Sequence, residues 1–528
     1  METSRGELTV VWEIDNPQCN ESRKIVWEVA PYLRGRGLDI GAGDFKVLPH
    51  VISVDDMNHA QFGFSVRPDV MVNADDLSVF ASQSLDFVYS SHTLEHMEDT
   101  GRTLREWWRV VKQGGYLILY LPHKDFYPNI GQIGANPDHK HDFFPEDVIE
   151  KMPDGWDLVE RQERNGDQEY SFLLVFKKIN SKNNVRSYLE DRPSKTVLVV
   201  RYGAYGDIMM ASSVFKGLKD QGYHVTVFAA PPGSDAIAHD PNIDKLVLFD
   251  RDQVPNADLG SFLSWQKKKY ERFVNLCESV EGTFLALPGR VQHGWPSSVR
   301  HVMMNKNYLE FQHDLAGIPY KPQVKFYAVN EEKKWARKTR EKMGNGPVIM
   351  YSLAGSSVHK TWSGMDNIIA GMMLHSMDVH VVLVGGAECA ILEAGWENEP
   401  RVHKTCGQWN IRNTFAFIDE CDILIGPETG VMNAASCMQV PKIVFLSHSS
   451  HENLTRDWVN AYPMMGEGTI CPGRSEGVPA CHQMHFGWEY CKKDTTTSTA
   501  QCQADIPVEQ VWTVLQNLLD EAKNKKAA

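Results

Sequence analysis

Asp207 closes the stretch Arg201-Tyr202-Gly203-Ala204-Tyr205-Gly206-Asp207, which follows an apolar run and precedes a helical pattern opening at Ile208. A glycine pair at such a strand-to-helix turn lets the chain present a carboxylate at the rim of a cleft. There it can take the proton of a hydroxyl attacking an anomeric carbon. The competing role is a helix N-cap, which aspartate also favours. Farther along, Gly426-Pro427-Glu428-Thr429-Gly430-Val431-Met432-Asn433 lies between the apolar CDILI and the small-residue NAASC. The free N–H groups and positive dipole end of a helix start suit a diphosphate, and Glu428 suits ribose or sugar hydroxyls. Upstream, Ser352-Leu353-Ala354-Gly355-Ser356-Ser357 is followed by Lys360 and Trp362, a small-residue loop with a cation able to offset phosphate charge. Val384-Gly385-Gly386-Ala387-Glu388 adds a third loop.

A separate set occupies the first third of the chain. GLDIGAG ends in Gly41-Ala42-Gly43, small residues that let backbone amides approach a ligand. Asp55 ends the next apolar run, where a carboxylate can bind ribose hydroxyls. Asn73-Ala74-Asp75-Asp76 follows the third run and Ser90-Ser91-His92-Thr93-Leu94-Glu95-His96 the fourth. Each group falls at the carboxyl end of an expected strand, where open α/β sheets bind ligands.

The elements that must carry these residues alternate apolar runs with amphipathic helical patterns, the rhythm of βαβ units and parallel sheets. The first series is GLDIGAG, VISVDD, LDFVYSS and YLILYLP, with EYSFLLVFKK closing the sheet. The polar segment from Ile179 to Lys195 reads as a connection. A second series starts at TVLVVRYGAYGD and continues through HVTVFAA and KLVLFD. A third comprises PVIMYSLAG, HVVLVGG, ILIGPETG and KIVFLSH. The expected domains are 1–179, a linker 180–195, an amino-terminal lobe 196–335 and a carboxyl-terminal lobe 336–528.

A chain of 528 residues exceeds one hydrophobic core. No apolar run approaches the roughly 20 residues of a membrane span. The stretch from Met1 to Val10 is polar and acidic, unlike a secretory signal, so a cytoplasmic location is expected. The net charge of −14, without a basic block, makes nucleic acid a poor partner.

With these residues in place, residues 25–178 resemble the class I methyltransferases, especially the group with a leucine-glutamate-histidine motif after the fourth strand. The resemblance implies a Rossmann-like fold. Asp39, Gly41 and Gly43 would frame the methionine end of S-adenosylmethionine, Asp55 its ribose, and Asn73 with Ala74 its adenine; Ser91 joins the same pocket. The family's third loop glycine is replaced around Phe45, and its adenine-side aspartate by Asn73. His92, His96, His139 and His141 invite a base or a metal, but methyl transfer chiefly needs alignment. No base and no metal ligand is assigned.

Residues 196–460 resemble the family 9 glycosyltransferases, the ADP-heptose:lipopolysaccharide heptosyltransferase group, through RYGAYGDIMMASSVFKGLK, SLAGSSVHKTW and ILIGPETGVMNAAS in that order. This implies a GT-B fold of two Rossmann-like lobes, the first for acceptor and the second for a nucleotide-diphosphate sugar, with inversion and no bound metal. Asp207 then matches the general base and Lys360 the phosphate-binding lysine. Glu428, Thr429 and Gly430 match the donor turn, with Ser356, Gly385, Glu388 and Asn433 lining the donor side. Where the family has Asp-Thr-Gly-x-x-His, this chain ends in Asn433 after Glu428.

Cys471, Cys481, Cys491 and Cys502, with His482 and His485 between them, allow a structural zinc, disulfides or free thiols. The leading reading is a bifunctional enzyme that glycosylates a hydroxyl acceptor on a glycan and methylates the same or a neighbouring group. Alternatives are a glycosyltransferase with a non-catalytic docking domain, or one that acts on a nucleobase in DNA.

Overall fold

The computed structural model describes residues 21–57, 66–166, 169–185, 195–250, 252–277, 286–287, 289–468, 471, 474–475, 477–489 and 491–527. The stretch from Met1 to Val10 and most of the expected linker lie outside them. The chain divides into two compact units. The first comprises Met1–Ser194 with Phe249–Lys269, the second Lys195–Leu248 with Tyr270–Ala528.

The first unit is built on one eight-stranded sheet. Its strands are β1 (Gly37–Ile40), β2 (Ile52–Asp55), β3 (Val70–Met71), β4 (Leu85–Ser91), β5 (Val111–Pro122), β6 (Trp156–Gly166), β7 (Glu169–Lys178) and β8 (Asn184–Val185). Their order is β3-β2-β1-β4-β5-β7-β6-β8. β1 pairs parallel with β2 and with β4, whereas β7 runs antiparallel to both β5 and β6. EYSFLLVFKK therefore does not close the sheet. It lies inside it, and the strand beyond it, WDLVERQERNG, is polar over most of its length and carries no apolar run to announce it.

The two-residue strand period places alternate side chains of β5 and β7 in two cores. Leu117, Leu119, Leu121, Phe172, Leu174 and Phe176 pack on one face with Leu104 and Trp107 of the helix Thr100–Val110. Ile118, Tyr120, Leu173 and Val175 pack on the other with Ile25 and Val29 of the helix Ser22–Val29. Phe249–Lys269 belongs to this unit through its own polar and aromatic contacts. Gln253 Nε2 donates to the Ala30 carbonyl at 2.8 Å, Phe262 meets Trp27 edge-on at 5.7 Å, and Lys269 pairs with Glu28.

The second unit has two all-parallel sheets. β9 (Thr196–Arg201), β10 (His224–Ala229), β11 (Lys245–Leu248) and β12 (Arg272–Asn275) form one, in the order β11-β10-β9-β12. β13 (Val348–Ser352), β14 (His380–Val384), β15 (Val402–Lys404), β16 (Ile423–Pro427), β17 (Lys442–Phe445) and β18 (Ala461–Met464) form the other, in the order β15-β14-β13-β16-β17-β18. One apolar cluster runs through both, joining Val199, Ile208 and Met209 to Met350, Val431 and Met432. The chain is thus mixed α/β with parallel sheets. Among the described residues no helix is long and apolar enough to cross a membrane.

In each sheet the strand order reverses beside the first strand of its series: at β1 and β4, at β9 and β12, and at β13 and β16. Chains leaving on opposite sides open a crevice there, at the strands' carboxyl ends. Gly41, Ser91, Asp207, Lys360 and Gly430 end or follow strands at these reversals, whereas Asp55, Asn73 and Gly385 end or follow the neighbouring β2, β3 and β14.

Candidate functional site

In the first unit Gly41 and Gly43 adopt φ of +74° and +53°, a region that disfavours side chains. A Cβ on Gly41 would lie 2.0 Å from Thr93 Oγ1, so this glycine is required by close packing as well. Asp55 holds the loop: its Oδ2 accepts from the Gly43 N–H at 3.1 Å and its Oδ1 from the Met57 N–H at 2.8 Å. A carboxylate has about four acceptor sites, so each oxygen retains one for a ribose hydroxyl. Asn73 is exposed, with Oδ1 accepting from Asp75 N–H at 3.3 Å, and the Ala74 carbonyl accepts from Trp107 Nε1 at 2.7 Å. Ser91 Oγ is buried.

Asp39 is placed differently from the expectation. It is 1 % exposed and its Oδ2 accepts from the Val47 N–H at 2.6 Å. Burial pushes its pKa up to about 7, against the opposing pull of that amide and of Lys46. It braces the chain beneath the glycine loop rather than presenting a charge to a ligand.

In the second unit Asp207 occupies the first turn of the helix Tyr205–Ser212. Its Oδ2 accepts from the Ala204 N–H at 3.0 Å, and its Oδ1 stands 3.0 Å from the guanidinium of the buried Arg201. Arg201 is anchored in turn on the Leu276 carbonyl. The carboxylate is therefore both the helix-start acceptor and a fixed group about a third exposed.

The Asp207 turn and the Gly430 turn touch. A Cβ on Gly206 would lie 2.6 Å from Asn433 Nδ2, and one on Gly430 would lie 3.0 Å from Tyr205 Cβ and 3.2 Å from the Gly206 nitrogen. Glycine at both positions lets two backbones meet where any other residue would hold them apart. Asn433 Oδ1 is buried at this junction with no hydrogen-bond partner among the described residues. The helix after Gly430 runs only to Ala434, little more than one turn, so its dipole is small and the anion site expected there needs a fuller charge.

Lys360 supplies one. It is 9 % exposed, and its ammonium has no hydrogen-bond or ion-pair partner among the described residues. Burial lowers its pKa, opposed by the fields of Glu428 and Asp207. The loop beneath it is tight: Gly355 N–H donates to the Lys360 carbonyl at 3.0 Å, and a Cβ on Gly355 would meet Lys360 Cδ at 2.7 Å. Ser356 is exposed at the tip of this loop.

Glu428 faces inward, contrary to a role in meeting sugar hydroxyls directly. Its Oε1 accepts from Ser447 N–H at 2.6 Å and Ser447 Oγ at 3.0 Å, and its Oε2 from His448 Nδ1 at 2.9 Å. Burial would raise its pKa, but His448, Lys360 and the Ser447 amide outweigh burial and hold it below the usual carboxylate range. Thr429 Oγ1 shares a hydrogen bond of 3.0 Å with Ser352 Oγ, tying the two loops at the β13 and β16 ends. Gly385 and the exposed Glu388 stand at the adjacent end of β14. A Cβ on Gly385 would meet Cys389 Cβ at 2.6 Å.

Several residues of this site were not singled out from sequence. Ser447 and His448 follow KIVF at the carboxyl end of β17, a position that the strand-end rule marks out. His359 and His485 are less legible, because one sits inside the Lys360 loop and the other arrives from the tail. In that tail the thiols of Cys471, Cys481, Cys491 and Cys502 lie within one another's electrostatic reach and form no disulfide. Burial and the neighbouring thiols raise Cys481 and Cys491 to about 12.

Comparison with known proteins places families on these units. Residues 49–119 match a methyltransferase domain and residues 264–468 match glycosyltransferase family 9 (heptosyltransferase). The Gly41 loop and the Asp207 turn both lie outside the matched segments. No curated protein matches the chain. Among solved structures, it is similar to a family 9 glycosyl transferase of Veillonella parvula, with 14% identity over 63% of this chain and 99% of that one and a TM-score of 0.45. It is similar to E. coli ADP-heptose lps heptosyltransferase II, with 16% identity over 62% and 99% and a TM-score of 0.43. A SAM-dependent methyltransferase of Thermotoga maritima is similar at 18% identity over 30% and 92%, with a TM-score of 0.23. The chain fuses a methyltransferase domain to a family 9 glycosyltransferase domain, and both are transferases. The first implies S-adenosylmethionine and the second a nucleotide-sugar.

Proposed function

We propose that the second unit moves a sugar, of the ADP-heptose kind, from a nucleoside diphosphate to a hydroxyl on a glycan, with inversion. Asp207 takes the hydroxyl proton as the oxygen bonds to the anomeric carbon. The bond from that carbon to the diphosphate breaks, and its electron pair leaves on the phosphate oxygen. Attack and departure on opposite faces invert the centre. Lys360 offsets the charge developing on the leaving diphosphate, and Glu428 keeps that lysine's surroundings polar while it ties Ser447 and His448 to the donor turn. Asn433, Ser356, Gly385 and Glu388 line the donor side.

The observation that carries this reading is the contact between the Asp207 turn and the Gly430 turn, with the unneutralised Lys360 ammonium within the field of both Asp207 and Glu428. A base, a cation and a small-residue turn then share one crevice.

In the first unit, Gly41 and Gly43 shape the methionine end of S-adenosylmethionine, Asp55 receives the ribose hydroxyls, and Asn73, Ala74 and Ser91 border the adenine. The residues present fit that cofactor, because Gly41 keeps the loop free of a side chain where a Cβ would meet Thr93, and Asp55 retains acceptor positions. Bound there, the cofactor would supply a methyl group to the same or a neighbouring group on that glycan. The four tail cysteines are of the right type for a structural zinc, but among the described residues their thiols are not gathered into a group that could hold one. The chain would work in the cytoplasm.

Asp207→Asn tests the base. Sugar transfer should fall by about 10²–10⁴-fold while calorimetry finds donor binding within a few-fold of wild type. Turnover at the wild-type rate would remove Asp207 from the chemistry.

A further inference from the structure

Beside the expected methyl-donor pocket, the first unit holds a cluster that none of the roles above uses. The turn Leu94–His96 follows β4, and the loop after β5 folds back on it. The Glu95 carbonyl accepts from the N–H groups of Lys140 at 2.9 Å and His141 at 3.2 Å. His141 Nε2 donates to the Met97 carbonyl at 2.9 Å. These bonds clamp His139 over Glu95, with His139 Nε2 3.8 Å from Glu95 Oε1.

Glu95 is wholly buried, and neither of its carboxylate oxygens has a hydrogen-bond partner among the described residues. A buried carboxylate left so costs several kcal/mol as an anion unless something pairs with it. A core residue serving packing alone would be bonded or neutral-shaped, so the orphaned oxygens call for a ligand. The ring nitrogens around them are suited to one. His96 Nδ1 faces the Asp138 carbonyl at 3.1 Å. A carbonyl only accepts, so Nδ1 carries the proton and Nε2 keeps its lone pair. An outer carbonyl partner of this kind orients metal-bound histidines. His139 turns its Nε2 towards the same carboxylate, 3.8 Å from Glu95 Oε1.

One ligand atom from each of Glu95, His96 and His139 lies within 4.8 Å of the others. Ligands on a tetrahedral zinc, at about 2.0–2.1 Å each, are roughly 3.4 Å apart, so small side-chain rotations close the site. His92 also turns its Nδ1 towards Glu95 Oε1, at 3.8 Å, but it stands outside the group whose ligand atoms all lie within 4.8 Å of one another.

We propose that Glu95, His96 and His139 bind a divalent transition-metal ion of the zinc class through one oxygen and two nitrogens, with open positions for water or an external oxygen or nitrogen ligand. Two nitrogens and a carboxylate with open positions suit such ions, whereas calcium and magnesium take oxygen sets. Thr93, two residues before Glu95, is the residue that packs against Gly41, so the ion stands next to the cofactor loop. The proposal does not depend on sugar transfer or on the tail cysteines.

The test uses the full chain stripped with chelator and titrated with zinc, with bound metal counted by elemental mass spectrometry. Three variants are compared: Glu95→Gln, His139→Ala and the double variant Cys481→Ser/Cys491→Ser. Wild type should take up one equivalent that Glu95→Gln and His139→Ala bind at least ~100-fold more weakly and that the double cysteine variant retains. Zinc should raise the melting temperature of wild type and of the cysteine variant. Glu95→Gln removes a buried charge at constant shape, so its metal-free fold should persist by circular dichroism. If either site variant fails to fold, cobalt bound to the cysteine variant decides. Ligand-field absorption without a thiolate charge-transfer band supports the site, and no absorption overturns it. Equal zinc affinity in wild type and Glu95→Gln also overturns it.

Discussion

Replacing Gly430 by alanine probes whether two turns share one reaction centre. The added Cβ would lie 3.0 Å from Tyr205 Cβ and 3.2 Å from the Gly206 nitrogen. Non-bonded carbons settle at about 3.5–4.0 Å, so the turns must separate by roughly 0.5–1 Å. Neither neighbouring atom is the far end of a flexible side chain, and the strain passes into the backbone. Overpacking of this kind costs about 1–3 kcal/mol, visible as a lower urea midpoint at unchanged slope. Catalysis should suffer more than folding, because a misplacement of ~1 Å costs about 10²-fold. The expected result is a kcat lowered roughly 10–100-fold, with the donor KM raised as well, since Gly430 belongs to the donor turn itself. Rates would be followed as nucleoside diphosphate release. Gly260→Ala is the control: its Cβ meets nothing within 4 Å, in the helix Leu259–Lys267. Wild-type kcat in a folded Gly430→Ala protein would mean that the contact between the turns has no part in the chemistry.

Two further outcomes follow from buried charges. Lys360→Met should stabilise the donor-free protein to urea by about 1–4 kcal/mol, because an unneutralised buried ammonium is removed, and weaken donor binding by roughly 10–100-fold by calorimetry; unchanged donor affinity would exclude Lys360 from the phosphate site. Asp39 has its pKa raised by burial to about 7, so the folded state holds a proton that the unfolded chain gives up near 4. Stability of the first unit is then full below about pH 4 and falls as pH rises towards 7, by about 4 kcal/mol at most. Asp39→Asn, which can still accept from Val47 N–H, should flatten that slope in urea titrations at pH 5 and pH 7.5; an equal slope in both proteins would refute the assignment.

The sequence made the reversal points of the sheets legible because glycines and small residues cluster where backbones must approach. Gly41, Gly206, Gly355 and Gly430 each sit where a Cβ would find an atom within about 3 Å. What it hid were features that local pattern cannot carry. β6 reads as a charged loop, since Arg161 pairs with Glu146 and Glu163, Arg164 with Glu169 and Glu28, and Glu160 accepts from the Tyr32 hydroxyl, rather than marking a core face. Phe249–Lys269 joins the first unit through Trp27, Ala30 and Glu28, contacts made more than two hundred residues away in sequence. Asp39 and Glu428 have the right residue type at the right strand ends. Which way a carboxylate turns is decided by amides such as Val47 and Ser447 that only the folded chain supplies.

The tail and the donor turn are joined by a hydrogen-bond relay with a single polarity. His485 N–H donates to His359 Nε2 at 3.3 Å, so His359 must carry its proton on Nδ1. Nδ1 then donates to Ser447 Oγ at 2.8 Å, and the Ser447 hydroxyl donates to Glu428 Oε1 at 3.0 Å. Burial holds the His359 pKa well below its ordinary value, which keeps the ring neutral and the polarity fixed. Such chains strengthen bond by bond in a low-dielectric interior. Glu428 is therefore oriented by residues on either side of it, Ser447 from β17 and His485 from the cysteine-bearing tail. Cys481 and Cys491 flank the segment that delivers His485. The tail is thereby tied, through His359 and Ser447, to the residue that precedes Thr429 and Gly430.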